Sequence, residues 1–187
     1  MKKNLLISVL MTLVTTVLLG LIYPLVVTGL AHVLFPEKAN GQLLRRGDVV
    51  IGSRILSQPF TGPGYFHPRA SKAGNGYDAT SSGGSQLGPT NQQLVDRVNS
   101  DVAAAQSENP GVPVPADLIT TSASGLDPEI SPAAADFQVP RIARERHMQQ
   151  DALRRLIAQH TRDRFLGLLG EPGVNVLELN MQLDAGK

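Results

Sequence analysis

Cysteine is absent from this chain of 187 residues, and so is any strong excess of charge: 17 Lys and Arg stand against 16 Asp and Glu, a net charge of +1. Without cysteine there is no disulfide framework, no Cys-x-x-Cys pair and no attachment point for a lipoprotein anchor. Near-neutral charge provides no basic field of the kind that draws nucleic acid. Catalytic signatures are missing too. The chain has no Gly-x-x-x-x-Gly-Lys-Ser/Thr phosphate loop, no His-Glu-x-x-His, no Gly-x-Ser-x-Gly and no Ser-x-x-Lys. His32, His67, His147 and His160 are scattered without metal-ligand spacing, and the acidic residues show no pairing that points to glycoside chemistry. The residues therefore offer no catalytic set and no metal site.

The most telling absence is local. Between Lys3 and Glu37 there is no Asp, Glu, Lys or Arg, and most of the stretch is Leu, Val, Ile or Thr. A bilayer-spanning helix needs about 20 apolar residues to cross roughly 30 Å of hydrocarbon, and Leu5 to Phe35 exceeds that. A cleaved signal peptide is the rival reading, since Met1-Lys2-Lys3 precedes Leu5-Leu6-Ile7. Its apolar region, however, is usually about 7 to 15 residues long and ends in a small-x-small site. Here hydrophobicity runs on through Tyr23, Leu25, Val26 and Val27 with no clear Ala-x-Ala. The sequence thus predicts residues 1–4 on one side, a retained transmembrane helix over 5–35, and an outer domain over 36–187. Lys2 and Lys3 flank one end directly, while Glu37 and Lys38 cancel at the other. The positive-inside tendency then puts the N-terminus in the cytoplasm and the domain outside it.

Within the span, Ser8, Thr12, Thr16, Gly20, Pro24 and Thr28 recur every four residues. Small side chains at such spacing let another helix approach closely, which makes this stripe a candidate packing surface. Pro24 donates no backbone hydrogen bond and is expected to bend the helix or weaken one turn.

The outer domain reads as mixed α/β. A strand or strand pair is expected from Val49 to Leu56, interrupted at Gly52. Residues 57–89 form a long Gly/Pro/Ser-rich loop whose embedded Phe60, Tyr65, Phe66 and Tyr77 argue for packing rather than disorder. Thr90 to Gln93 has capping-box spacing and opens a helix to about Ser107. Asp117-Leu118-Ile119 fits a short strand or a short helix. Ser131-Pro132 starts another helix, with a second piece begun or kinked at Pro140. Its Arg141, Arg144, Glu145 and Arg146 are expected to form a solvated face. Leu153, Leu156 and Ile157 define the apolar face of a last helix, and Val174 to Leu183 alternates as a half-buried strand after the turn at 170–173.

One loop carries a chemical ambiguity. In Ser82-Gly83-Gly84-Ser85-Gln86, glycine backbone N–H groups and hydroxyls could contact a phosphate, or the string could be a structural turn ahead of the next helix. A serine there also leaves open a membrane-anchored extracytoplasmic hydrolase.

Taken together, several strings resemble one family. They are Tyr65-Phe66-His67-Pro68-Arg69, Ser82 through Asn91, Pro113-Val114-Pro115-Ala116-Asp117-Leu118, Thr121 through Pro128, Ser131 through Ala135, and Gly170-Glu171-Pro172. In this order after one N-terminal span, they resemble the KdpC family, the C subunits of bacterial Kdp potassium-transporting P-type ATPases. The chain departs from the family in having Pro68-Arg69-Ala70 where Arg-Pro-Ser is usual. The resemblance implies a non-catalytic subunit of an inner-membrane complex that imports potassium at the expense of ATP. The implied partners are a pore subunit, a P-type ATPase subunit and a small membrane subunit. It further implies an assembly role and a catalytic-chaperone role that raises the ATP affinity of the ATPase subunit. ATP contact at Ser82 to Gln86 is implied by the resemblance only, with no tightly bound cofactor.

Overall fold

The computed structural model describes residues 2–185 and divides into two compact units at the Ile51–Gly52 bond. In the first unit, α1 (Lys2–Val17), a π turn (Leu18–Ile22) and α2 (Tyr23–Leu34) form one helix of 33 residues, long and apolar enough to cross a membrane. At 1.5 Å per residue that is roughly 50 Å, longer than the hydrocarbon core.

The π turn explains what Pro24 does. Lacking an N–H, Pro24 cannot bond the carbonyl four residues back, and its ring crowds that turn. The turn before it widens, and the Tyr23 N–H reaches Leu18 O five residues back. The widening also changes the stripe. In an unbroken α-helix, six positions at four-residue intervals drift by roughly 200°. One extra residue in the turn rotates the following helix back by about 100°. Pro24 and Thr28 thereby return toward the face that carries Ser8, Thr12 and Thr16. The Ser8 hydroxyl donates to Asn4 O at 2.9 Å and the Thr12 hydroxyl to Ser8 O at 2.8 Å, so both are satisfied within the helix.

After α3 (Pro36–Ala39), β1 (Leu43–Arg46) pairs with β2 (Val49–Ser53) across a turn in which Gly47 has φ +60°. The expected strand over 49–56 is thus shortened: Gly52 lies inside it, and Ile55 and Leu56 fall in the turn closed by Leu56 N–H on Ser53 O at 3.2 Å.

The second unit is the mixed α/β domain. It contains α4 (Gln92–Glu108), α5 (Ala116–Ile119), β3 (Glu129–Ile130), α6 (Pro132–Arg146), α7 (Gln150–Gln159), β4 (Thr161–Arg162), β5 (Gly173–Asn175) and α8 (Val176–Ala185). The strands form a small antiparallel sheet ordered β3-β5-β4, with Ile130 and Thr161 both opposite Val174. Its core gathers Ile130, Val139, Ile142, Leu153, Ile157, Val174 and Leu179 from the sheet and three helices.

Local chemistry sets the helix starts. Asn91, one residue after the expected Thr90, caps α4 by accepting from Gln93 N–H at 2.9 Å. Ser131 caps α6 as expected, accepting from Ala134 N–H at 3.0 Å, and is itself gripped by the Asp117 carboxylate of α5.

Three expectations are corrected. Pro140 does not start a separate helix, because α6 runs through it; lacking an N–H, it leaves the Asp136 carbonyl without its i+4 donor. The strand expected over 174–183 is a strand only to Asn175, where the Asn175 side chain accepts from Glu178 N–H at 3.1 Å and caps α8. Val176, Leu179, Asn180 and Leu183 bury a helical stripe that the apolar alternation concealed. The solvated basic face of α6 is only half correct: Arg144 and Glu145 are exposed, but Arg141 is buried and the Arg146 side chain is 8% exposed.

Candidate functional site

Residues 57–89 adopt neither helix nor strand, yet Phe66 and Ala73 within them are completely buried. Buried backbone in irregular conformation must find hydrogen-bond partners other than a ladder. Here side chains supply them. From Pro63 to His67, five consecutive carbonyls are taken: Pro63 O and Tyr65 O by Arg141, Gly64 O by Arg146, Phe66 O by Asn180, and His67 O by Gln138. The two amides also accept in return. Phe66 N–H donates to Asn180 Oδ1 at 2.9 Å, and His67 N–H to Gln138 Oε1 at 2.8 Å. Gln138 from α6 and Asn180 from α8 therefore hold neighbouring residues of this strap, residues 63–67, each offering one donor and one acceptor as a paired strand would.

The charged groups close the arrangement. Arg141 Nε donates to Glu108 at 3.0 Å, and Arg141 Nη2 donates to Gln138 Oε1 at 2.8 Å, which fixes the amide's orientation. Burial pulls the Arg141 guanidinium below its ordinary pKa, with Glu108 opposing that shift. Arg146 lies 4.6 Å over the Tyr65 ring, and both it and the Tyr65 hydroxyl reach Asp184, at 3.0 and 3.2 Å.

Beside the strap opens a cleft of about 480 Å³ lined by Phe60, His67, Tyr77, Glu108, Leu118 and Phe137, among others. His67 Nε2 lies 3.0 Å from Gly62 O, so that nitrogen carries the proton. Desolvation first, and then the Arg141 charge, lowers the His67 pKa from its ordinary value and favours the neutral ring. Tyr77 donates to Arg69 O at 2.9 Å, and burial raises its phenol above the usual value. These groups can present shape and hydrogen bonds to a partner. One ring nitrogen of each of His32, His67 and His160 meets a backbone carbonyl. Among the described residues, no group of three or more Asp, Glu or His is placed to hold a metal ion.

The Ser82 to Gln86 loop lies against residues 122–125. Gly83 N–H donates to Ser124 O at 2.8 Å and the Ser82 hydroxyl to the same oxygen at 2.9 Å. A side chain on Gly84 would come within 3.0 Å of Ala123 O, so the glycine permits this close approach. One backbone donor and one hydroxyl of the string are thus engaged internally, while Gln86 is exposed with φ +52°. Gly125, at φ +67°, completes the seam: a side chain there would sit 2.6 Å from both Ala73 N and Gly83 O.

Arg69, at the position where the chain departs from the family pattern, donates to Asp127 at 3.1 Å, to Thr120 Oγ1 at 3.4 Å and to Thr121 O at 3.3 Å. It links the first of the recognised strings to the fourth. The strings that stood apart in sequence therefore meet: 65–69 on α6, α8 and Asp127, 82–84 on 122–125, and Asp117 on Ser131.

Gln138, Asn180 and Asp184 carry no motif in the sequence, and Arg141 reads there as part of a solvated face. A signal existed in part: Gln138 and Asn180 sit among apolar positions of their helices, and a buried amide there implies a backbone partner. Phe165-Leu166-Gly167-Leu168-Leu169, where four large apolar side chains are exposed, carries no motif either.

Comparison with known proteins agrees with this assembly of motifs. A family profile described as K+-transporting ATPase, c chain (KdpC), matches residues 5–185. The potassium-transporting ATPase KdpC subunit of Koribacter versatilis is 66% identical over 184 residues, covering 98% of this chain and 95% of its own length. That of Acidobacterium capsulatum is 56% identical over 95% of both chains, and that of Rhodospirillum rubrum is 56% identical over 90% of this chain and 89% of its own. A spanning-length helix, a strap clamped by side chains and an end-to-end match to one family lead to a single assignment: the chain belongs to the KdpC family, the c chains of K+-transporting ATPases.

Proposed function

We propose that this chain is a non-catalytic, single-pass membrane subunit of a K+-transporting ATPase, working in potassium import beside pore, P-type ATPase and small membrane subunits. The observation that carries the reading is the family match over residues 5–185, which takes in both the spanning helix and the clamped domain. The chain lies in the bacterial inner membrane with its N-terminus in the cytoplasm and residues 36–187 outside, as Lys2 and Lys3 favour. Its task is assembly. The stripe from Ser8 to Thr28 packs on other membrane helices, and the outer domain presents a preformed surface to the extracytoplasmic side of the pore subunit.

The chaperone effect on ATP affinity follows from the same placement. With Ser82 to Gln86 outside the cytoplasm, the loop is remote from ATP, and its Gly83 and Ser82 donors already hold Ser124 O. The effect then passes to the ATPase subunit through the spanning helix rather than by direct nucleotide contact at this loop.

A cysteine placed by Ser85→Cys, in a chain with no cysteine of its own, tests the orientation. Reaction with an impermeant maleimide in intact cells is expected; reaction only after lysis refutes the placement. Thr16→Leu with Gly20→Leu is expected to weaken co-purification of the other subunits. Undiminished recovery would remove the packing role of the stripe.

A further inference from the structure

Between β4 and β5 the chain forms a small hairpin tip, Phe165–Leu169, whose apolar side chains are 65%, 79%, 81% and 63% exposed at Phe165, Leu166, Leu168 and Leu169. Two independent features accompany that exposure. First, four of the tip's five backbone N–H groups are bonded from within: Phe165 N–H bonds Leu169 O, Leu169 N–H and Leu168 N–H bond Phe165 O, and Gly167 N–H bonds Arg164 O. A segment so paired can leave water without stranding those donors. Second, Leu166 has φ +53° and Gly167 φ +72°, the signs of a type I′ turn. Asn or Asp is the favoured partner of Gly there, both for left-handed backbone and for solvation. Leucine violates both preferences, so the sequence accepts local strain to hold an apolar side chain at the tip.

We propose that this tip is a docking knob that inserts into an apolar pocket on the extramembrane surface of another subunit of the transport ATPase. The inference rests on the function proposed above and names the part of the domain that anchors it. The observations favour a protein pocket over a lipid surface. A fluid bilayer rewards apolar area and gains nothing from one fixed direction, whereas a shaped pocket rewards a hydrogen-bonded turn that aims Leu166 one way. Charge agrees. At the base, Arg162 is paired with Glu129 at 2.6 Å and Arg164 with Glu171 at 2.7 Å, while Asp163 is exposed and adds negative charge. Binding to anionic headgroups calls for unpaired basic groups, and this collar has none to offer. A neutral or basic rim around an apolar hole complements it. The knob is smaller than the roughly 800 Å² that each side of a stable interface buries, which suits an anchoring cluster inside a larger contact.

The test uses the full chain co-expressed with the transport subunits. Leu166→Asn with Leu168→Ser keeps residues suited to the turn while removing its apolar projection. The variant should retain the thermal midpoint of the free chain and lose about tenfold in retention of the other subunits, the scale of a lost anchoring residue. A photo-reactive benzophenone side chain at position 168 should form an adduct with a protein subunit. Wild-type retention by the variant overturns the proposal, as do adducts with lipid alone and a variant that unfolds, the last because the tip would then serve the fold. If the wild-type chain itself recovers no transport subunit, the proposed function fails and this inference with it. Recovery by wild-type and variant alike removes the knob only.

Discussion

Replacing Asn180 with alanine isolates the device that holds the strap. Asn180 is 1% exposed, and Phe66, which it serves, is 0% exposed. Both hydrogen bonds between them are 2.9 Å long, one accepted from Phe66 N–H and one donated to Phe66 O. Asn180→Ala leaves a buried donor and a buried acceptor unpaired, each costing about 1–3 kcal/mol. The combined expectation is therefore about 4 kcal/mol, a large part of the 5–15 kcal/mol typical of a domain. With a urea slope of about 2 kcal/mol per molar, the midpoint should fall by about 2 M. The spanning helix will stay helical in detergent and mask the loss in overall helicity. Tyrosine near-ultraviolet dichroism of the full chain, supported by hydrogen exchange over 57–89, reads the α/β domain instead. Protection should fall first at Phe66 and His67. A loss below about 1 kcal/mol would refute the reasoning, because water or a relaxed backbone would then be satisfying those groups as well as the amide does.

Gly125→Ala places a methyl group 2.6 Å from Ala73 N and Gly83 O, at a backbone φ of +67°. It should destabilise the domain by about 3 kcal/mol through strain and overpacking, and exchange should quicken at Gly83; unchanged exchange there would show that the seam yields freely. His67 sets an acid limit. Its folded pKa lies below 6.5, so the unfolded chain binds the proton first, and the neutral ring's contribution is complete above about pH 6.5. That contribution declines as pH falls below this value, until the folded-state ring also titrates. Stability measured from pH 8 to 5 should drop less in His67→Gln than in the wild-type protein. Parallel curves would assign the acid loss to other groups.

How much was legible in the sequence differs by element. The spanning helix was plain because a charge-free apolar run of that length has few other uses. The α6 start was plain because Ser131 and Pro132 act locally, through one side-chain acceptor and one fixed φ. The α8 segment was misread because Leu177, Leu179, Met181 and Leu183 recur every two residues, while Val176, Leu179 and Leu183 also fit the helical spacing of three and four. What separated the two was the Asn175 cap, a single hydrogen bond whose meaning depends on where the chain has already turned.

The same distinction divides the molecule's chemistry. The sequence by itself determined a helix long and apolar enough to cross a membrane, the mixed α/β class and the family, because these rest on runs and strings read along the chain. Only the tertiary structure decided that Arg141 and Arg146 are buried clamps rather than a solvated face, that Asn180 and Gln138 hold residues 114 and 71 positions away, and that Ser82 and Gly83 are bonded to Ser124. Those partners are distant in sequence. A backbone that forms no ladder advertises its need for donors and acceptors, but not which side chains will meet it.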